Sequence, residues 1–487
     1  MRQVFKMGSQ CGNAGWYAVL CVHVNWLLWT GLLKGLGVLL PTLQEQFMAD
    51  TWMIGGLIAT ITGAGSFAGP LSRPLEVLFG TRIVVTVCGF LLGASVIVSS
   101  FSTTTVQMTL TLSLIAGPGL VISNVLSRAM TGRYFTTNYA TVNGIATSGH
   151  SVGLIAIAPL TQVLLDTYGW RGALLLLGAI STHLGVCGFL LKGPAHEEAR
   201  DNYLPIISSE DEPQTDTPTS SNAQKKSRLR ILKDTVKAQG NLFGCTVCSR
   251  AAFWIATLTY SDHMFLSSLW MIYFVSYAES KGFSGYEAVT FTTAAGIGNL
   301  IIKILIGFVV DRGWLKLRLG LLISIMTSSV ALSTLPLVNS YWLMMVNALL
   351  FHGFNGALAS LSDIYTRELL GAEELVSAFS WMDLLAASSQ LAFGFFPGNW
   401  NDLSLAFYHF DRVGLTLPTL QRITVFGDKI LEVQFIFMLR SRMDWPYYRG
   451  FGSYLLPCAI SHVNYDSEYI GFCQANRKAL TLNTFQR

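Results

Sequence analysis

The chain alternates between long runs without Asp, Glu, Lys or Arg and short polar breaks. Several runs reach about 18 residues or more, the length a helix needs to cross the apolar core of a bilayer at ~1.5 Å per residue. The pattern predicts apolar helices over residues 14–40, 51–72, 83–101, 105–127, 139–165, 172–191, 251–277, 288–310, 319–337, 341–362 and 375–397. Two stretches are too long for one helix. Residues 83–127 carry no charge and would form a rod ~68 Å long, over twice the hydrocarbon thickness. They predict a hairpin that turns in the Ser/Thr cluster 99–105. Residues 319–362 split in the same way, at Pro336 and Asn339.

Composition agrees. The chain is 51% apolar and only 12% charged, with a mean hydropathy of +0.47. Soluble domains carry roughly twice that share of charge, so a polytopic membrane protein is expected, with the lipid bilayer as its surroundings. The net charge of +4 is small and sits in loops, which excludes a nucleic-acid binder. The N-terminus lacks the basic, apolar and cleavage-site order of a secretory signal. Residues 192–250 are rich in Ser, Thr, Pro and charge, and predict a disordered linker. Its basic cluster, Lys225, Lys226, Arg228, Arg230, Lys233 and Lys237, suits anionic lipid. Loop charges divide between two sides. Arg73, Arg82, Arg128, Arg133, Asp311, Arg312, Lys316 and Arg318 fall on one, and Glu45, Asp50, Asp166, Arg171, Glu279, Lys281 and Glu287 on the other. The basic side is expected in the cytoplasm together with residues 1–13.

The two double spans follow similar polar turns, at residues 69–82 and 307–318, roughly 240 residues apart. A repeat of that size implies duplicated six-helix halves, here residues 14–191 and 251–397. The turns resemble the loop motif of the major facilitator superfamily, a Gly followed by an acid and a basic residue. The first turn departs from it, with Glu76 and Val77 in place of the usual Asp and Arg. The expected fold is an all-α major facilitator bundle of two pseudo-symmetric six-helix halves, with the twelfth helix degenerate or missing. Residues 398–487 contain no apolar run of spanning length. The best stretch, 430–439, is interrupted by Glu432 and bounded by Arg440, and an alternative or mispredicted exon is the expectation for this tail.

Residues 134–153 read YFTTNYATVNGIATSGHSVG and are followed by APLTQ at 158–162 and GWRG at 169–172. This text resembles the second signature of the monocarboxylate transporter family, YFxxRRxLAxGxAxAGxxxG. Tyr134, Phe135, Gly144, Gly149, Gly153, Gly169, Trp170 and Arg171 carry the match, and Asn138-Tyr139 replaces the family's Arg-Arg. Residues 12–17, GNAGWY, are a weakened copy of the family's DGGWGW opening. The resemblance implies a secondary carrier of small monocarboxylates working by alternating access, with no cofactor and no enzymatic chemistry. It also implies a plasma-membrane location and a single-span immunoglobulin-like glycoprotein as a partner for delivery.

Charges inside apolar runs are costly and mark function. Lys34, late in the first span, resembles the family's first-helix lysine that binds the substrate carboxylate. Asn299 and Lys303 share a helical face. They match the places where proton-linked members carry an Asp and, four residues on, an Arg that together orient the carboxylate and relay the proton. An amide does not titrate, so proton coupling at this site is in question. Asp262, His263, Asp363 and Asp383 are candidate replacements for the proton relay. The bland alternatives are a snorkelling Lys34 or Lys303, an Asp363–Arg367 pair on one helix, and structural roles for His23, Asn25 and His150. Residues 149–153 also spell the GxSxG of serine hydrolases, but inside a helical run that lacks the required strand–turn–helix context. Cys245 and Cys248 form a lone CxxC with no second pair, so no metal site is expected. The remaining readings are a pH-independent facilitator for a zwitterionic or neutral solute, creatine- or carnitine-like, and a non-transporting regulatory relic.

Overall fold

The computed structural model describes residues 2–48, 51–192 and 243–394. The basic linker cluster and the tail from residue 395 lie outside the described residues. So does the question of a twelfth helix.

The described residues are helical, without strands. The first set comprises α1 (Arg2–Phe47), α2 (Thr51–Phe67), α3 (Ser72–Phe79), α4 (Thr81–Ser99), α5 (Thr105–Thr111), α6 (Gly117–Tyr134), α7 (Tyr139–Thr147), α8 (Gly149–Ser181) and α9 (His183–Leu190). The second comprises α10 (Ala251–Ser280), α11 (Gly285–Asp311), α12 (Leu317–Thr334), α13 (Tyr341–Leu370) and α14 (Leu375–Gly394). Seven helices among the described residues are long and apolar enough to cross a membrane. The helix α1 starts at Arg2, well before its apolar stretch Ala14–Leu39, so residues 2–13 extend the first rod.

Breaks fall where the chain chemistry demands them. The charge-free run after Arg82 turns at residues 100–104, where the Thr104 hydroxyl accepts from the Gln107 N–H and caps α5. A π-helical turn, Leu112–Ala116, then joins α5 to α6. The second long run breaks at the 3-10 turn Leu335–Leu337, which contains Pro336. Within α8, Gly169 has φ 68°, a conformation costly for any residue with a side-chain carbon, and the rod bends there. Ser284 and Glu287 form a reciprocal capping box at the start of α11.

Within the first set α1 packs on α6 and α8, and α4 on α8 and α9; within the second, α13 packs on α11 and α12, and α10 on α14. The sets meet where α11 lies on α7 and α8, α13 on α7, and α14 on α2 and α6. At the end carrying Arg73, polar groups tie them together. Arg73 donates to Glu374 Oε2 at 3.3 Å and to Ser377 Oγ. Arg367 donates to the Phe135 carbonyl at 2.7 Å. The Asp311 carboxylate accepts from the Ala140 N–H (3.1 Å), the Thr141 N–H (2.6 Å) and the Thr141 hydroxyl (2.5 Å), neutralising the positive end of α7. Asp311 was expected as a plain loop charge; it is a cap supplied by the opposite set.

Candidate functional site

The site is built around α7 and α8, and glycine builds it. A methyl group on Gly149 would be driven into the His23 carbonyl oxygen of α1, and one on Gly153 would sit 2.6 Å from the Leu27 oxygen. On another stripe, a methyl on Gly144 would lie 3.1 Å from the Lys303 oxygen, and one on Gly307 2.6 Å from the Ala140 oxygen. Small residues therefore let the rod touch α1 and α11 backbone to backbone. The rest of the signature has structural neighbours too. Phe135 is buried with its ring edge-on to Trp16, and the Tyr134 hydroxyl donates to the Lys192 carbonyl. Trp170 packs against Phe47 beyond the Gly169 bend, with the Arg171 guanidinium over its ring. Ser151, the serine of the GxSxG text, lies inside α8 and donates to Asn299 Oδ1 at 2.7 Å.

Lys303 is 3% exposed and donates to the Thr147 carbonyl of the other set at 3.3 Å. Lys34 is half-buried and donates to the Met271 carbonyl, likewise of the other set, at 3.4 Å. Each ammonium thus reaches a carbonyl of the opposite set of helices. No acid lies within 4 Å of either among the described residues. The Asn299 amide is fully engaged, accepting from Ser151 and donating to the His352 carbonyl at 2.9 Å.

Between the two lysines runs a wall of rings from four helices. The His150 ring meets Trp26 edge-on at 6.0 Å and tilts against His352 at 5.7 Å, and His352 stacks on Trp270 at 4.7 Å. Both ammonium groups lie within electrostatic reach of His150 and His352. His150 is held by the Thr30 hydroxyl at 2.6 Å, while His23 faces the Ile145 carbonyl and Asn25 bonds Leu120 and Asn124. Several buried polar atoms of this wall have no hydrogen-bond partner among the described residues: both ring nitrogens of His352, Asn355 Nδ2, and the indole nitrogens of Trp26 and Trp270. His352 and Trp270 carried no signal in the sequence, because a His or Trp in an apolar helix looks the same whether it packs or binds.

A second polar cluster lies nearer the Arg73 end. Arg128, expected as a loop charge, is 2% exposed inside α6. It holds Asp363 through two nitrogens, Nε to Oδ2 at 3.3 Å and a shorter Nη2 contact to Oδ1, and stacks over the Phe379 ring. Asp363 thus pairs with Arg128 across the two sets, not with Arg367 on its own helix, whose guanidinium lies over Tyr139. Asn143 donates to the other face of Asp363 at 3.3 Å. Asp262 is half-buried, and His263 beside it is buried with Nδ1 3.1 Å from Asn355 Oδ1. No group of three or more metal-ligating side chains occurs among the described residues.

The family model of the Major Facilitator Superfamily matches residues 18–394. The chain belongs to this superfamily. Among curated relatives it is similar to monocarboxylate transporter 12 of Xenopus laevis, 26% identical over 378 residues, 77% of this chain and 80% of that one. It is 31% identical to human monocarboxylate transporter 11 over 317 residues, 64% of this chain and 59% of that one. It is 26% identical to monocarboxylate transporter 2 of Rattus norvegicus over 372 residues. The likeness read from residues 134–172 to that family is thus carried by most of the chain. Among solved structures, the fold matches the proton:xylose symporter XylE bound to 6-bromo-6-deoxy-D-glucose. That match has a TM-score of 0.60 and 12% identity, and covers 82% of this chain and 93% of the symporter. The protein is a multi-pass membrane transporter rather than an enzyme.

Proposed function

We propose that this transporter moves a small monocarboxylate by alternating access, with Lys34 and Lys303 neutralising the carboxylate. The observation that carries the reading is the pair of ammonium groups held, among the described residues, by backbone carbonyls without an acid. A buried cation without an acid costs several kcal/mol. A bound carboxylate offsets that cost, since opposite charges 4 Å apart attract by ~4 kcal/mol at an effective dielectric of 20. The ring wall adds unpartnered nitrogens but no acid within ion-pair distance of the lysines among the described residues, which favours an anion over a zwitterion. Both lysines reach across to the other set of helices, so ligand binding is coupled to how the halves sit. On the same reading the Arg73 end faces the cytoplasm and delivery to the plasma membrane uses a single-span immunoglobulin-like partner.

The test is uptake into liposomes holding the purified protein, with lactate, pyruvate, creatine, carnitine and an aromatic amino acid at two pH values. Lactate or pyruvate is expected to enter. Lys303→Gln lowers that uptake about tenfold or more, equivalent to at least ~1.4 kcal/mol. Uptake that survives both Lys303→Gln and Lys34→Ala sinks the assignment. A second reading, a pH-independent facilitator of a zwitterionic or neutral solute, is favoured by one feature: Asn299 stands where a titrating acid would be and has both arms occupied. Creatine or carnitine uptake without lactate uptake would establish it.

A further inference from the structure

Away from the lysines, the packing of α12 on α13 leaves a gap. It is a crevice of about 460 Å3, within the usual range for a bound small molecule. Met326, Val330, Leu343, Val346 and Leu350 form its apolar sides, and Val330, Leu343 and Val346 are exposed. No charged residue lines it. Both helices are long and apolar enough to cross a membrane, so the crevice opens on hydrocarbon. One polar side chain in it is short of a partner. Asn347 is 7% exposed and lines the crevice. Its amide nitrogen is saturated, donating to the Ala331 carbonyl at 2.7 Å and to the Thr334 hydroxyl oxygen at 3.1 Å. Thr334 directs its own proton to the Val330 and Ala331 carbonyls. Asn347 Oδ1 accepts from no donor among the described residues, although a carboxamide oxygen has two lone pairs.

Helix length sets the depth of that oxygen. The helix α12 has 18 residues and is ~27 Å long, against a hydrocarbon core of about 30 Å. Lys316 and Arg318 mark its charged end, so Thr334, its last residue, lies at the opposite boundary of the hydrocarbon. Asn347, bonded to Thr334, is at the same level. The exposed Trp342 at the start of α13 belongs to that interface as well. The flank in question is also not where the repeat would put a further helix. In the first set the last helix, α9, packs on α4 and α1. Their counterparts are α12 and α10, so a matching helix covers another side of α12 than the one facing α13.

We propose that this crevice binds a membrane sterol. The sterol hydroxyl donates to Asn347 Oδ1, and the ring body lies along Val330, Met326 and Leu350 toward the middle of the bilayer. An acyl chain fills apolar volume but brings no donor for the amide oxygen. The esters and phosphate of a phospholipid bring acceptors and negative charge, which an unpaired acceptor does not attract. A sterol joins one hydroxyl donor to an apolar body, and its hydroxyl rests at the hydrocarbon boundary, where Asn347 stands. Pairing there removes the cost of an unmatched polar atom away from water. The rigid rings lose little freedom on binding. The site is separate from the carboxylate site, since neither Lys34 nor Lys303 lines it.

The experiment is photolabelling of the purified full-length protein in phosphatidylcholine liposomes, with a diazirine-bearing cholesterol whose 3-hydroxyl is intact, followed by peptide mapping. Label is expected on α12 and α13 within residues 326–350. Unlabelled cholesterol is expected to suppress it. The 3-O-methyl ether of cholesterol, which cannot donate, is expected to compete about threefold or more less well, the effect of one hydrogen bond in a bilayer. Asn347→Leu keeps the bulk, removes the acceptor and is expected to lower the label by about the same factor. Val330→Trp fills the crevice from its exposed side and is expected to abolish the label. Both variants are first checked for a monodisperse peak, and should Asn347→Leu not fold, Val330→Trp and the ether decide. Label spread evenly over the helices or absent from α12 and α13, equal competition by the ether, or unchanged label in either folded variant overturns the proposal.

Discussion

At the residue scale, the site is a set of polar groups denied ordinary partners. Lys34 and Lys303 were visible in the sequence because an ammonium inside an apolar run has few reasons to be there. His352 was not visible, since only the packing of α13 on α10 brings its ring onto Trp270 and leaves both nitrogens unpaired. An unpaired buried polar group costs about 1–3 kcal/mol. His352→Phe keeps the stacked ring and removes that cost. The variant is expected to melt at a higher temperature in detergent while its substrate uptake falls. A lower melting temperature with normal uptake would show His352 to be a packing residue. Arg128 misled for a local reason. It ends a charge-free run, as loop charges do, and nothing nearby tells that α6 continues to Tyr134.

At the element scale, the spacing of small residues in α7 and α8 was legible and its purpose was not. Gly149 and Gly153 both abut α1, and Gly144 abuts α11. A stripe of glycines says that something comes close without saying which helix. The prediction is steric. Gly149→Val forces α1 and α8 apart and is expected to abolish a monodisperse peak on fluorescence-detected size exclusion. Gly37→Ala, where nothing lies within 4 Å, is the control and elutes as the wild type does. Two equal profiles would refute the backbone contact. The Gly169 bend was also readable, as a GWRG turn, but the burial of Trp170 against Phe47 came only with the fold.

At the scale of the molecule, the two sets of helices are pinned by buried charge. Removing one partner of a buried pair costs about 3–5 kcal/mol, because the other is left uncompensated, while replacing both with apolar groups is often neutral. Arg128→Met is therefore expected to lower stability by about that amount in a thermal or denaturant melt. Arg128→Met combined with Asp363→Leu should recover part of it, with Asp383, 3.8 Å from Arg128, left as the remaining unmatched acid. Additive losses in the double variant would show that the two residues act separately. Loosening of the Arg73 end in the double variant would appear as faster cysteine labelling near Glu374.

The sequence by itself determined the class of the molecule, its rods and breaks, and the positions of the lysines. A run of about 20 apolar residues has one stable conformation in hydrocarbon, and a charge within it stands out. Only the tertiary structure decided the partners: Asp363 with Arg128, Asp311 with α7, Asp383 with Tyr260, and His352 with Trp270. Helical periodicity says which side chains share a face. Which face meets which helix, across two or three hundred residues of chain, is settled by how all the rods pack at once.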